Sequence, residues 1–337
     1  MLPWIAGSLL ALQTSPGVVA PDLAEQWRRR DAWQQPERVI EVLHLHAGDV
    51  VADLGAGYGY FTQYLARAVG PSGRVLALDV NSIALAVNES LAVQSGLTNV
   101  EFRVVAYDNP GLETGEAGLI FVCNSWHLFQ DRLRYATTLR EALRPEQRLA
   151  VIGSGLASVP RGDFRTNRYQ VRREAEAGGF VLLAEPAFLQ PRAFFLVFKP
   201  GRAAIFDQMP GFRYVTSELA FGPPPPDRAA LQALAERGFL QLVDLRTGAE
   251  ERPEIVAAAK DLGLEYVREP IQIADDIAIG DLHRVAIHLA DPKTGIVYLY
   301  AESVREAGQV LIRLYRYGVP RLTDFEAEAL MDGAVQQ

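Results

Sequence analysis

Cysteine is almost missing from this sequence. The single thiol, Cys123, excludes an intramolecular disulfide framework and any zinc site built on several cysteines. Lysine is nearly as scarce, with Lys199, Lys260 and Lys293 alone. Arginine therefore carries almost all the positive charge, which we read as a bias of composition rather than of function. There is no basic surplus. The formal net charge is −8 and the pI is near 5.3, whereas a dedicated nucleic-acid binder needs a basic footprint. Beyond the first twenty residues no stretch approaches the roughly 20 apolar residues of a membrane-spanning helix.

What is present suits folded domains. Hydrophobic residues make up 49% of the 337 and charged residues 22%, enough apolar side chain to bury sizeable cores. At roughly 100–200 residues per domain, the length predicts two domains. The charge is uneven. Residues 1–206 balance 20 acids against 20 bases, while residues 207–337 carry 21 acids and 13 bases. All the net acidity therefore sits in the C-terminal part.

Met1–Ala20 holds a short apolar stretch, Leu2–Leu12, followed by small residues ending at Ala20. It reads either as a secretory signal or as an N-terminal helix packed on the domain. The lack of Lys and Arg at its start, and Pro21 after the would-be cut, count against a signal. Retention implies a cytoplasmic protein; cleavage implies a periplasmic or secreted one.

Residues 22–47 read as helix, with Arg28-Arg29-Arg30 as a solvated face. Strand and helix then alternate. Asp49–Leu54, Arg74–Val80, Val100–Ala106, Leu119–Asn124 and Arg148–Ile152 read as strands. Phe61–Val69, Ser82–Ser95, Arg132–Leu143 and Val171–Ala177 read as helices. Val181–Glu185 and Arg192–Lys199 form an expected antiparallel pair at the sheet edge. Apolar strands alternating with helices predict a parallel sheet covered on both faces, an α/β, Rossmann-like doubly wound architecture. Residues 201–213, with Gly201, Pro210 and Gly211, read as a linker. A second, smaller α/β unit begins near Tyr214 and runs to about residue 334. No internal repeat is visible.

The chemistry concentrates at Val51-Ala52-Asp53-Leu54-Gly55-Ala56-Gly57-Tyr58-Gly59. An apolar strand runs into glycines and then a helix, the place where doubly wound sheets bind nucleotides. The dinucleotide fingerprint needs a glycine at position 60, which is Tyr60. An acid also precedes the loop and would repel a pyrophosphate. It suits an ammonium group instead. The next strand ends in Asp79, placed to accept hydrogen bonds from ribose hydroxyls. Ammonium plus ribose without phosphate describes S-adenosylmethionine.

On these residues, about 25–200 resemble a class I S-adenosylmethionine-dependent methyltransferase. The resemblance extends to Tyr107-Asp108, to the junction Leu143–Leu149, and to the ending Phe194–Phe198. The junction departs from the family, with Glu146 and Gln147 where two glycines are usual. The resemblance implies that Asp53, Gly55, Gly57 and Gly59 hold the methionine moiety, Asp79 the ribose and Asp108 the adenine amino group. Ala56, Tyr58, Val80, Tyr107 and Asn124 complete the expected cofactor shell. Asp108-Asn109-Pro110-Gly111 is also a turn signal in its own right. Asn124 stands where relatives often carry an acid. His127 is the best-placed candidate for proton removal. Trp33 and Trp126 are candidates for lining an acceptor pocket, or for filling the core. No metal site is expected.

Residues of about 214–334 resemble the protein-tyrosine/dual-specificity phosphatase fold, carried by Pro223–Asp227, Val243–Arg246 and the strand–loop–helix Ile296–Arg316. Active members hold a cysteine four or five residues before an arginine. Here the arginine is Arg305, and the nucleophile position falls on Tyr300 or Leu299. Glu302 adds an anion beside the phosphate seat, and the family's glycine is missing. The general acid would fall on Asp275, Asp276 or Asp281. The expectation is a degenerate, inactive domain of regulatory or architectural role. The expected function is methyl transfer to an unidentified small-molecule or protein acceptor. The alternative is a non-catalytic S-adenosylmethionine-binding scaffold. An NAD-linked oxidoreductase ranks third.

Overall fold

The computed structural model of the protein describes residues 21–155, 166–216, 218–248, 252–273, 277–290 and 296–316. The candidate signal segment lies outside them, as do Asp275 and Asp276. Among the described residues no helix is long and apolar enough to cross a membrane.

The chain opens with two helices, α1 (Pro21–Gln34) and α2 (Pro36–Leu43). One continuous helix was expected. Gln35 breaks it with a left-handed φ of 47°, because a residue before proline is pushed out of the right-handed helical region. Pro36 then starts α2, where its missing N–H costs nothing. The following elements are β1 (Val50–Leu54), α3 (Tyr60–Val69), β2 (Arg74–Asp79), α4 (Ser82–Gln94), β3 (Val100–Val104), β4 (Leu119–Cys123), α5 (Arg132–Glu141), β5 (Arg148–Ser154), α6 (Arg168–Ala177), β6 (Phe180–Ala184) and β7 (Ala193–Pro200).

These strands form a seven-stranded sheet in the order β3-β2-β1-β4-β5-β7-β6. The first five are parallel to one another; β7 runs antiparallel to both β5 and β6. The expected terminal hairpin is present, with β7 inserted between β5 and β6. Its run Phe194–Phe198 is buried throughout, as an inner strand requires. Chain order reverses at β1, which has β2 on one side and β4 on the other. That reversal opens a crevice above the carboxyl ends of β1, β2 and β4. One core lies under α5 and α6, around Leu54, Val122 and Leu196. The other lies under α1, α2 and α3, around Val51, Phe121 and Ile152.

The second unit comprises α7 (Ile205–Gln208), β8 (Arg213–Thr216), β9 (Leu219–Gly222), α8 (Arg228–Ala235), β10 (Gln241–Asp244), α9 (Pro253–Asp261), β11 (Glu265–Arg268), α10 (Ile279–Ala290), β12 (Val297–Tyr300) and α11 (Val304–Arg316). Its sheet runs β11-β10-β12-β9-β8, parallel except for β8. Residues 201–213 are not an open tether, contrary to the linker expected there. Ala203, Ile205, Met209 and Phe212 are buried in the second core, so the segment belongs to that unit.

α6 joins the two units through charge. Its Arg173, Glu174 and Glu176 are all buried. Glu176 accepts from Nε and Nη2 of Arg237 at 2.6 and 2.9 Å and from the Tyr214 hydroxyl at 3.1 Å. Arg173 donates to the Arg237 carbonyl, and burial pulls its guanidinium down to about 10. Glu174 turns the other way and accepts from Trp126 Nε1 at 2.7 Å and Arg132 Nε at 2.9 Å.

Candidate functional site

The turn after β1 is built on three left-handed glycines. Gly55, Gly57 and Gly59 have φ of 79°, 53° and 89°. A side chain at Gly55 would overlap Ser125 Oγ, and one at Gly59 would overlap the Asn88 amide; Gly57 faces open space. The amides of Gly55 and Ala56 both donate to the Leu78 carbonyl, at 2.7 and 3.1 Å, fastening the turn to β2. Ser125 Oγ donates to the Gly55 carbonyl at 3.1 Å, fastening it to the segment after β4.

Asp79 closes the β2 side. Its Oδ2 accepts from the Gly57 amide and its Oδ1 from the Asn81 amide, both at 2.8 Å. Each oxygen therefore keeps acceptor capacity on its open side. Asn81 in turn caps α4 through the amides of Ile83 and Ala84. Tyr58, Val80 and Tyr107 stand exposed on the loops around this carboxylate.

Asp53, next to last in β1, is buried, and its Oδ2 accepts from Thr62 Oγ1 at 2.6 Å. Asn88 Nδ2 donates to the same hydroxyl at 3.0 Å. Burial pushes the Asp53 carboxyl up to about 7, with the Thr62 bond opposing the rise. Asp53 braces the loop from below, and near neutral pH it supplies only part of a negative charge.

The remaining expected residues divide. Asp108 is exposed in the turn beyond β3, where the Gly111 amide donates to Asn109 Oδ1 at 2.8 Å. The turn signal at that position is real, and the carboxylate is accessible. Asn124 is exposed at the end of β4 with φ of 57°, and His127 is half-buried in the short helical turn that follows. Trp33 and Trp126 do not converge. Trp126 is 2% exposed in the core on the α5–α6 side, tied to Glu174. Trp33 packs on the opposite face.

Sequence reasoning missed the residues α1 contributes. Asp31 accepts from the hydroxyls of Tyr60 and Tyr64 at 2.8 and 3.1 Å. Gln34, fully buried, donates to Cys123 Sγ at 3.0 Å. Burial pushes the Cys123 thiol up to about 12, so it is no nucleophile at neutral pH. Arg30 stacks over Tyr60 with its guanidinium carbon 3.8 Å from the ring centre. The run Arg28-Arg29-Arg30 is therefore a solvated face at its first two members only. Nothing in residue type distinguishes the third.

In the second unit, Tyr300 is the last residue of β12, not a loop residue. Its ring is 1% exposed and stacks on Tyr298. The connection to α11 is Ala301-Glu302-Ser303, and Arg305 is exposed on the first turn. Ser303 and Glu306 form a reciprocal cap: the Ser303 amide donates to Glu306 Oε2 at 2.9 Å, and the Glu306 amide to Ser303 Oγ at 3.2 Å. The chain's own carboxylate thus takes the helix N-terminus, where an anion would otherwise be favoured. This pair was legible as Ser-x-x-Glu. Among the described residues no cluster of His, Cys, Asp or Glu could hold a metal ion.

Residues 51–146 match the methyltransferase domain family. The ubiquinone/menaquinone biosynthesis C-methyltransferase of Legionella pneumophila is 32% identical over 119 residues, 35% of this chain and 44% of that protein. The nocamycin O-methyltransferase of Saccharothrix syringae is 26% identical over 116 residues, 34% of this chain and 41% of that protein. A solved S-adenosylmethionine-dependent methyltransferase from Aquifex aeolicus superposes with a TM-score of 0.47 at 22% identity, over 52% of this chain and 96% of that one. The chain spans less than half the length of the curated relatives it matches. The match to the methyltransferase domain family is confined to residues 51–146, and the cofactor that the sequence reading implies is S-adenosylmethionine. The crevice fits that molecule: Asp79 offers lone pairs to a sugar diol, and the left-handed glycines leave open space at Gly57 where a side chain would project.

Proposed function

We propose that this protein transfers a methyl group from S-adenosylmethionine to a small-molecule or protein acceptor. The observation that carries the reading is the turn Gly55–Gly59 at the sheet's reversal point, with Asp79 fastened to it through the Gly57 amide. When bound, the cofactor supplies an electrophilic methyl on a sulfonium. In this reading Asp79 takes the ribose hydroxyls and Asp108 the adenine amino group, while the backbone of Gly55–Gly59 lies along the methionyl end. Asp53 acts from beneath, by holding α3 against the turn through Thr62.

Transfer to a positioned acceptor needs few side chains. Holding the reactants in register supplies on the order of 7–11 kcal/mol in well-oriented systems. His127 takes the acceptor's proton where one must leave, and Asn124 orients the acceptor by hydrogen bonding. Both stand beyond β4, beside the segment that Ser125 ties to Gly55. The acidic balance argues against a nucleic-acid acceptor.

The second unit, in this proposal, is a phosphatase-like domain without phosphatase chemistry. The support is a parallel strand, a short connection and a helix that contain no cysteine, with the helix terminus sealed by Glu306.

The test is calorimetry of the full chain with S-adenosylmethionine and S-adenosylhomocysteine, followed by a labelled-methyl transfer screen. Binding of both, with label transferred to an acceptor, is expected. Binding without transfer across acceptor classes leaves the scaffold reading. No binding overturns both. His127→Ala separates its role from packing: a base there costs about 100-fold in turnover and changes the pH profile, with cofactor affinity unchanged.

A further inference from the structure

The cofactor reading accounts for the β2 side of the crevice and leaves a cation unexplained on the other. Arg30 lies between Tyr60, the residue after Gly59, and Cys123, the last residue of β4. Its Nε donates to Gln34 Oε1 at 2.9 Å, and its Nη2 sits 4.0 Å from Cys123 Sγ. Among the described residues it forms no ion pair. Its neighbours Arg28 and Arg29 both pair with Glu25 in solvent, and Asp31 is turned to two tyrosines. Arg30 is thus a half-buried guanidinium whose direct contacts are neutral, the buried Asp53 carboxyl acting on it only through space, with donors to spare on a group that carries five. Such a cation is incomplete without an anion, and a planar carboxylate is the partner its fork geometry matches.

The crevice also has a direction. A ribose on Asp79 places the sugar at the β2 side, so the rest of the molecule runs across the glycine turn towards β4. The end that arrives there is an amino acid, bearing one ammonium and one carboxylate. Arg30 waits at that end. We infer that Arg30 takes the α-carboxylate of the cofactor's methionyl end, making α1 a wall of the cofactor site although it lies outside the matched methyltransferase segment. The inference rests on the cofactor reading above.

Two ligands separate it from that reading. S-adenosylhomocysteine carries the amino-acid end; 5′-methylthioadenosine keeps the adenosine and the thioether but lacks it. In calorimetry on the full chain, Arg30→Ala is expected to weaken S-adenosylhomocysteine about 10- to 100-fold, the range for hydrogen bonds to a charged group, and to change 5′-methylthioadenosine less than about twofold. Arg30→Lys restores part of the loss. Equal weakening of both ligands, or no weakening of the first, overturns the assignment and returns Arg30 to packing or to the acceptor. A wild-type chain that binds neither ligand overturns the cofactor reading itself. A measurement without any variant guards against misfolding. Wild-type protein should bind S-adenosylhomocysteine at least about 10-fold tighter than its decarboxylated analogue, and equal affinity refutes the role of Arg30.

Discussion

Asp53 makes stability depend on pH in the direction opposite to most carboxylates. Its folded carboxyl titrates near 7, raised chiefly by burial, against about 3.9 in an unfolded chain. The folded state therefore holds a proton that the unfolded state has lost. Stability from this group is full below about pH 4, falls as the pH rises towards 7, and is constant above. Each pH unit costs about 1.4 kcal/mol while the two states differ by one proton, so the loss from pH 5 to pH 8 is roughly 2–3 kcal/mol. Asp53→Asn keeps the shape and an acceptor for Thr62 but cannot ionise. The assay is urea unfolding of both proteins at half-unit intervals from pH 5 to pH 8. The difference between wild type and variant should shift in the variant's favour by that amount as the pH rises. A difference that stays flat across the range refutes the reasoning and means that Asp53 is ionised throughout. Cofactor sharpens the test: an ammonium above the turn favours the carboxylate, so binding should release protons below pH 7, detectable as a buffer-dependent enthalpy.

Four further outcomes are expected. Asp79→Ala should weaken S-adenosylmethionine by about 1.5–3 kcal/mol in calorimetry, and an unchanged affinity would detach the ribose from this carboxylate. Gly59→Ala should destabilise by about 1–3 kcal/mol in chemical denaturation, since the left-handed backbone and the Asn88 amide both oppose a side chain. Arg237→Ala should cost about 3 kcal/mol or more by leaving Glu176 short of its buried cation; a cost near zero would show that water enters the junction. Neither the wild type nor Tyr300→Cys should hydrolyse an aryl phosphate. Wild-type turnover abolished by Arg305→Ala would reveal a nucleophile other than the buried Tyr300.

The glycine turn and its two acids were legible because their pattern is local: strand, bend and helix follow each other within ten residues. The first five strands and their parallel sheet were expected for the same reason, apolar runs alternating with helices. What escaped depends on packing between distant segments. Arg30 has the same side chain as Arg28 and Arg29, and only the docking of α1 on Tyr60 selects it. Asp53 was expected at the methionyl end from its place two residues before Gly55; that Thr62 of α3 holds one of its oxygens depends on packing and could not be read there. The segment 201–213 carries glycines and a proline that read as a tether; Ile205, Met209 and Phe212 do follow helical spacing, but the helix itself, α7, is only four residues long. β8 and β9, four residues each, are too short for alternation to register.

The charges on α6 also bear on how the chain is made. α6 and the strands that follow it leave the ribosome before the second unit exists, yet Glu176 finds Arg237 only 61 residues later. At about 5–20 residues per second, that interval is roughly 3–12 seconds of synthesis. Through it Glu176 has only Arg172, one turn back on its own helix, to balance a carboxylate on a face that is dry in the finished fold. The second cation and the Tyr214 hydroxyl reach that carboxylate only when the C-terminal unit arrives. The arrival of Arg237 is thus the step that closes the junction between the two units.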